Sequence, residues 1–162
     1  MKAIFLDRDG VINNDTGHYY IYKPDDFIFN DGIIEGLSIL KKNKFLFIVI
    51  TNQGGIAKKI YTHNDVYKVH KKMQSDFNKN NIKLTDIYYC PHHSDIEKCL
   101  CRKPGSLMIE KAIAKYNIDV SKSYFIGDKQ TDVEAGRKAG LKSFKIKTNE
   151  SILPIVKKII NE

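Results

Sequence analysis

No run of apolar residues in this 162-residue sequence approaches the roughly 20 that cross a bilayer, so a membrane-spanning helix is not expected. A secretory leader is not expected either, because Asp7, Arg8 and Asp9 interrupt the apolar stretch near the N-terminus. The expected setting is the cytoplasm. Internal repeats and low-complexity segments are lacking, and no segment is long enough to form a separate cap domain. Cysteine is scarce, with three residues that all fall between Cys90 and Cys101. An odd number of thiols clustered with histidines, in a chain expected in the cytoplasm, argues for a metal before a disulfide. Acidic residues are in deficit, 19 against 27 lysines and arginines, so the chain carries a formal charge of +8 and attracts anions in general. The lysines are spread along the sequence in short groupings that read as solvated faces. A dedicated nucleic-acid patch is therefore not expected.

What is present starts at Ile4-Phe5-Leu6-Asp7-Arg8-Asp9-Gly10, an apolar run that meets two aspartates held two apart and then a glycine. This reads as a buried strand ending in a tight turn that carries carboxylates. Two like charges so close are costly unless a cation lies between them. Residues 14–30 show neither helical nor strand periodicity and read as a loop rich in tyrosine. Further strands are predicted at 45–50, 86–89, 123–126 and 143–146, and helices at 33–43, from 64 onward with Thr62 or Asn64 as cap, and at 106–116, 131–139 and 152–160.

Five strands alternating with helices imply a parallel sheet covered on both faces, a doubly wound α/β fold, over a single domain spanning residues 1–162. Ligands of such sheets gather outside the carboxyl ends of the strands. Asp7 and Asp9, Thr51 and Asn52, the Cys/His segment, and Gly127-Asp128 each follow directly after a predicted strand. Four polar clusters thus converge on one edge.

That edge holds three carboxylates, Asp7, Asp9 and Asp128, suited to a hard cation such as Mg²⁺ beside a phosphate. Thr51 offers a hydroxyl, the turn through Asn52 and Gln53 offers backbone N–H groups, and Lys103 and Lys129 lie where they neutralise phosphoryl oxygens. These are the parts that phosphoryl transfer needs. The stretch Cys90-Pro91-His92-His93…Cys99-Leu100-Cys101 supplies four N/S donors, the closed set of a structural zinc. Cys90, His92, Cys99 and Cys101 are the expected ligands, with His93 as the alternative to His92. The zinc loop spans residues 90–101 and leads straight into Arg102 and Lys103.

Asp7-x-Asp9-Gly10, Thr51, Lys103 and Gly127-Asp128 with Asp132 resemble, in order, the four motifs of the haloacid dehalogenase superfamily of phosphohydrolases. The resemblance implies a Rossmann-like fold in which Asp7 is the nucleophile that forms an aspartyl-phosphate and Asp9 is the acid/base. Thr51 and Lys103 would hold the phosphoryl group, and Asp7, the Asp9 carbonyl and Asp128 would bind Mg²⁺. Asp132 would order metal-bound water, or serve as a helix N-terminal carboxylate. DRDGVIN, TNQ-G-I-A, C-P-H-H…C-x-C-R-K-P and GDKQTD together look like the heptose 1,7-bisphosphate phosphatases and the similar histidinol-phosphatase group. That likeness implies removal of the 7-phosphate of D-glycero-D-manno-heptose 1,7-bisphosphate, in the synthesis of nucleotide-activated heptose for lipopolysaccharide. His18, Tyr19, Tyr20, Ile21, Asn52, Gln53, Gly54 and Arg102 would contact the sugar bisphosphate, with Arg102 on its second phosphate. The sequence departs from the family where Pro104 is followed by Gly105-Ser106-Leu107-Met108 and in the short loop between zinc-ligand pairs. The competing readings are a histidinol-phosphate phosphatase, a nucleic-acid 3′-phosphatase and a non-catalytic zinc-stabilised binding module. The chain is expected to act as a monomer on a small phosphorylated sugar.

Overall fold

The computed structural model describes residues Met1–Glu162. Its centre is β1 (Ala3–Leu6), every residue of which is buried. An apolar run without alternation suits a strand covered on both faces. It pairs in parallel with β4 (Leu46–Asn52) on one side and β6 (Tyr124–Gly127) on the other, so that Phe5 lies beside both Ile48 and Phe125. With β5 (Asp86–Cys90) and β7 (Lys142–Lys145) the sheet runs β5-β4-β1-β6-β7. Alternate residues of β1 face opposite sides. Ile4 and Leu6 join the larger core with α1 (Ile33–Lys42), α2 (His63–Lys79) and α5 (Leu153–Ile160), while Ala3 and Phe5 join the smaller one with α3 (Leu107–Tyr116) and α4 (Gln130–Lys138). This is the doubly wound α/β sheet with no separate cap. The winding reverses between β1 and β6, and the crevice at that reversal receives Asp7 from one strand and Asp128 from the other.

Boundaries differ from expectation where tertiary pairing extends an element. β4 runs on through Thr51 and Asn52, because these residues pair with Tyr89 and Cys90 of β5. Thr51 therefore sits on a strand, buried, instead of in the turn after it. The segment 14–30, expected to be loop throughout, contributes to a small antiparallel ladder in which β2 (Asn13–Asn14) pairs with β3 (Ile28–Phe29), and a 3₁₀ turn at Pro24–Asp26. Two-residue strands carry no periodicity, so nothing in the sequence marks them. Between them runs the tyrosine segment, which the ladder ties down at both ends.

Thr62, not Asn64, caps α2. Its hydroxyl accepts the Asp65 N–H and the Asp65 carboxylate accepts the Thr62 N–H at 2.8 Å, a reciprocal capping box. Thr62→Ala is expected to cost about 1 kcal/mol of folding free energy, read as a lower urea midpoint at unchanged m-value. An unchanged midpoint would mean that the buried stripe Val66, Val69, Met73 and Phe77 alone holds the helix.

Candidate active site

Asp7 leaves β1 buried, and its Oδ1 accepts from the Arg8 N–H at 2.8 Å and from Lys103 Nζ at 2.8 Å. Lys103 is also buried, 3% exposed, and its ammonium meets Asp132 Oδ1 at 2.7 Å and the Ile50 carbonyl at 2.7 Å as well. Burial works against that charge, yet the carboxylates of Asp132 and Asp7 more than offset it and hold Lys103 above its usual range. For Asp7 the balance goes the other way. Burial, then the neighbouring Asp132, push its carboxyl up in spite of Lys103, a shift that a bound cation would oppose. The carboxylate oxygens of Asp7, Asp128 and Asp132 lie within 4.8 Å of one another. Three buried acids against one buried ammonium leave a deficit of positive charge.

Asp128 shows where a cation would sit. Its Oδ2 accepts from the Thr148 hydroxyl at 2.7 Å, whereas its Oδ1 is buried without a protein partner. A buried carboxylate oxygen with no donor, beside a second acid, suits a hard divalent ion. Asp132 is committed elsewhere, since its Oδ2 accepts the N–H groups of Asp128 and Lys129 at the start of α4 while Oδ1 holds Lys103. It is both helix-terminal carboxylate and partner of the lysine. Gly10 closes the crevice from the other side at φ +84°, and a Cβ there would fall 2.6 Å from Asp128 Oδ2.

Asp9 turns its carboxylate away from this group. Oδ1 accepts from Arg8 Nε at 3.0 Å, Arg8 Nη2 at 2.8 Å and Asn13 Nδ2 at 3.0 Å, and Oδ2 accepts from Gln53 Nε2 at 3.1 Å. Any share of Asp9 in holding a cation would therefore be through its main-chain carbonyl, the atom the resemblance implies. Arg8 is wholly buried, with Nη2 also on the Ile21 carbonyl at 2.6 Å and Nη1 3.3 Å from His70 Nε2. Burial, then the Arg8 guanidinium, lower His70 to about 3, so the ring stays neutral and accepts from Arg8.

The residues expected against substrate divide into exposed and engaged ones. Tyr19 is 86% exposed, and His18 lines a cavity of about 330 Å³ with Asn14, Asp25 and Asn30. Ile21 departs from expectation. Its side chain belongs to the hydrophobic core at 2% exposure, which leaves only its main chain for any contact. Asn52 clamps the main chain of Lys103, donating to its carbonyl at 3.2 Å and accepting its N–H at 3.0 Å. Gln53 is buried and turned inward, bridging Asp9 to Thr51 Oγ1 at 2.9 Å and accepting from the Tyr61 hydroxyl at 2.7 Å. Because Thr51 accepts there, its own proton is free to meet an incoming oxygen. Gly54 packs against Arg102, whose Nη1 donates to the His92 carbonyl at 3.0 Å. Lys129 is exposed at the head of α4. Tyr61, His70 and Thr148 have no counterpart in the sequence reading; His70 meets Arg8 across 62 residues and Thr148 meets Asp128 across 20, separations that leave no local pattern.

Beside Lys103, the donor atoms of Cys90, His92, Cys99 and Cys101 all lie within 4.8 Å of one another. His92 presents Nδ1, 3.6 Å from Cys90 Sγ and 3.3 Å from Cys101 Sγ, and Cys90 and Cys99 are 3.7 Å apart. The Cys90–Cys99 separation is that of two sulfurs on a tetrahedral zinc at about 2.3 Å, and Cys90 and Cys101, 3.0 Å apart, would spread on binding the ion. His93 faces Asp95 instead, accepting its N–H at 3.1 Å. Burial, then the hydrogen bond with Cys101, pushes the Cys90 thiol up, and a divalent cation is what would draw off its proton. The four residues fit zinc.

The chain is similar in sequence and fold to known proteins. A family model described as HAD-hydrolase-like matches residues 100–154. The chain is 44% identical over 140 residues to the D-glycero-alpha-D-manno-heptose-1,7-bisphosphate 7-phosphatase of Campylobacter jejuni, covering 86% of this chain and 78% of that one. It is 41% identical over 146 residues to the corresponding beta-anomer enzyme of Haemophilus influenzae, covering 87% and 78%. The crystal structure of a D,D-heptose 1,7-bisphosphate phosphatase from B. bronchiseptica, complexed with magnesium and phosphate, superposes with a TM-score of 0.90 over 99% of both chains at 26% identity.

The His70–Arg8 contact predicts a pH effect. The native ring binds no proton until about pH 3, whereas in the unfolded chain it takes one up near pH 6.5. Its contribution to stability is therefore whole above pH 6.5 and drains away as pH falls toward 3, at up to about 1.4 kcal/mol per pH unit. Urea midpoints at pH 7, 6 and 5 should fall less steeply in His70→Gln, which keeps an acceptor for Arg8 but does not titrate. Parallel slopes would show that the ring is protonated in the folded protein.

Proposed function

The chain belongs to the haloacid dehalogenase-like phosphatase family that includes the D-glycero-D-manno-heptose-1,7-bisphosphate 7-phosphatases, and we propose that it hydrolyses the 7-phosphate of that sugar bisphosphate. The observation that carries this reading is the pairing of two neighbouring aspartates in opposite environments. Asp7 is buried among acids and gripped by Lys103, while Asp9, two residues on, is ringed by uncharged donors and one guanidinium. Binding alone would not call for a nucleophile beside an acid/base.

In the reaction, a carboxylate oxygen of Asp7 attacks phosphorus and the bond to the sugar oxygen breaks, giving an aspartyl-phosphate. Asp9 gives its proton to the departing sugar oxygen. Water then attacks the aspartyl-phosphate, Asp9 takes up its proton, and inorganic phosphate leaves Asp7 as it began. Lys103 and the free proton of Thr51 bind the phosphoryl oxygens throughout, already in place and shielded from water. Magnesium, held by Asp7, the Asp9 carbonyl and Asp128, supplies neutralising charge to those oxygens when bound. Arg102 takes the second phosphate as a guanidinium fork. Lys129 adds positive charge at the mouth, and His18, Tyr19, Tyr20 and Gly54 border the sugar.

The zinc of Cys90, His92, Cys99 and Cys101 has no open position and takes no part in the chemistry. It fixes the chain that leads directly into Arg102 and Lys103. This reading makes residues 1–162 one catalytic domain, with a place in the supply of activated heptose for lipopolysaccharide in the cytoplasm.

Phosphate release from heptose 1,7-bisphosphate, histidinol phosphate and a 3′-phosphorylated oligonucleotide, with and without Mg²⁺, tests the assignment. Turnover is expected with the first substrate and Mg²⁺, and Asp7→Asn should lower it by at least about a thousandfold while leaving the fold intact. Near-normal turnover in that variant would remove Asp7 as nucleophile. Elemental analysis should find about one zinc per chain, and Cys99→Ser should lower both zinc content and thermal midpoint. A zinc-free preparation that is folded and fully active would overturn the structural role.

A further inference from the structure

We propose that Tyr61 is a positioning residue for the acid that serves the leaving group, acting on Asp9 through the side-chain amide of Gln53. The proposal rests on the reading of Asp9 as acid/base. Oδ1 of Asp9 is saturated by three donors, two from Arg8 and one from Asn13. The proton that Asp9 transfers therefore resides on Oδ2, and the side chain that touches Oδ2 is Gln53.

The orientation of that amide follows from its surroundings. An ionised carboxylate only accepts, so the end of Gln53 that faces Asp9 must be the NH₂ group. The carbonyl end then faces Tyr61, whose hydroxyl must donate to it at 2.7 Å. Burial pushes the Tyr61 phenol up, which keeps that proton in place. The ring itself is fixed. It stacks on Tyr22 at 5.2 Å and 11°, meets Tyr20 edge-on at 5.5 Å, and lies so close over Gly55 that a Cβ there would fall 2.1 Å from Tyr61 Cε1. Its hydroxyl consequently cannot swing away to solvent. Without it the buried carbonyl of Gln53 loses its donor, and the amide is free to rotate off Oδ2.

A misplaced acid harms the departure of a poor leaving group and spares a good one, which separates positioning from general structural damage. The test compares Tyr61→Phe with wild type, as kcat/KM, on aryl phosphates of decreasing leaving-group acidity and on heptose 1,7-bisphosphate. The variant keeps the stacked ring. With p-nitrophenyl phosphate it should stay within about twofold of wild type, and with the sugar phosphate it should fall about tenfold or more, the loss growing along the series. Equal losses on every ester, or no loss on any, would overturn the proposal. Wild-type turnover of the aryl esters but not of the heptose would refute the substrate assignment while leaving the Tyr61 comparison readable. A wild type inert toward all of them would refute both.

Discussion

The ammonium of Lys103 is the contact on which the rest of the site depends. A buried charge is tolerated only when it is paired and hydrogen-bonded, and Lys103 has Asp7, Asp132 and the Ile50 carbonyl around it. Each partner comes from a different part of the sheet edge: the end of β1, the start of α4 after β6, and the last turns of β4. The lysine thus ties the two halves of the doubly wound sheet together where their winding reverses. It also leaves the pocket short of positive charge, because three carboxylates share a single ammonium. That shortfall suits a divalent cation.

Lys103 must reach this position from a loop, and loops are poor platforms for precise chemistry. Two devices stiffen this one. Asn52 grips its main chain at both polar atoms, and the four zinc-type donors lie immediately upstream, ending at Cys101. A zinc held by those four donors would have no open position of its own and would act as a brace for Arg102 and Lys103. Relatives that act on the alpha and on the beta anomer are about equally similar to this chain.

The polar clusters that follow the strands were legible in advance. Asp7, Thr51 and Asp128 lie at one edge of the sheet because parallel strands deliver their carboxyl ends there, and the apolar runs located those strands. The Cys/His spacing likewise placed four donors in reach of one another. Legibility stopped where side chains were already engaged within the protein. Gln53 and Asn52, both expected to face a ligand, spend their amides on Asp9, Thr51 and Lys103. Ile21 reads as part of an exposed aromatic loop but lies in the core, because the β2–β3 ladder folds that segment back over α2.

The sequence by itself determined the α/β alternation, the order of the polar strand ends and the chemistry of the donor groups, all of which depend on local pattern and residue type. The tertiary structure decided which oxygen of each carboxylate is held and which is free. Only with the chain folded does Arg8 meet His70 across 62 residues, or Thr148 orient Asp128 across 20. Hydrogen-bond direction is a property of atoms within about 3 Å of one another. In a doubly wound sheet those neighbours come from strands and helices far apart in the chain, and no window along the sequence contains them.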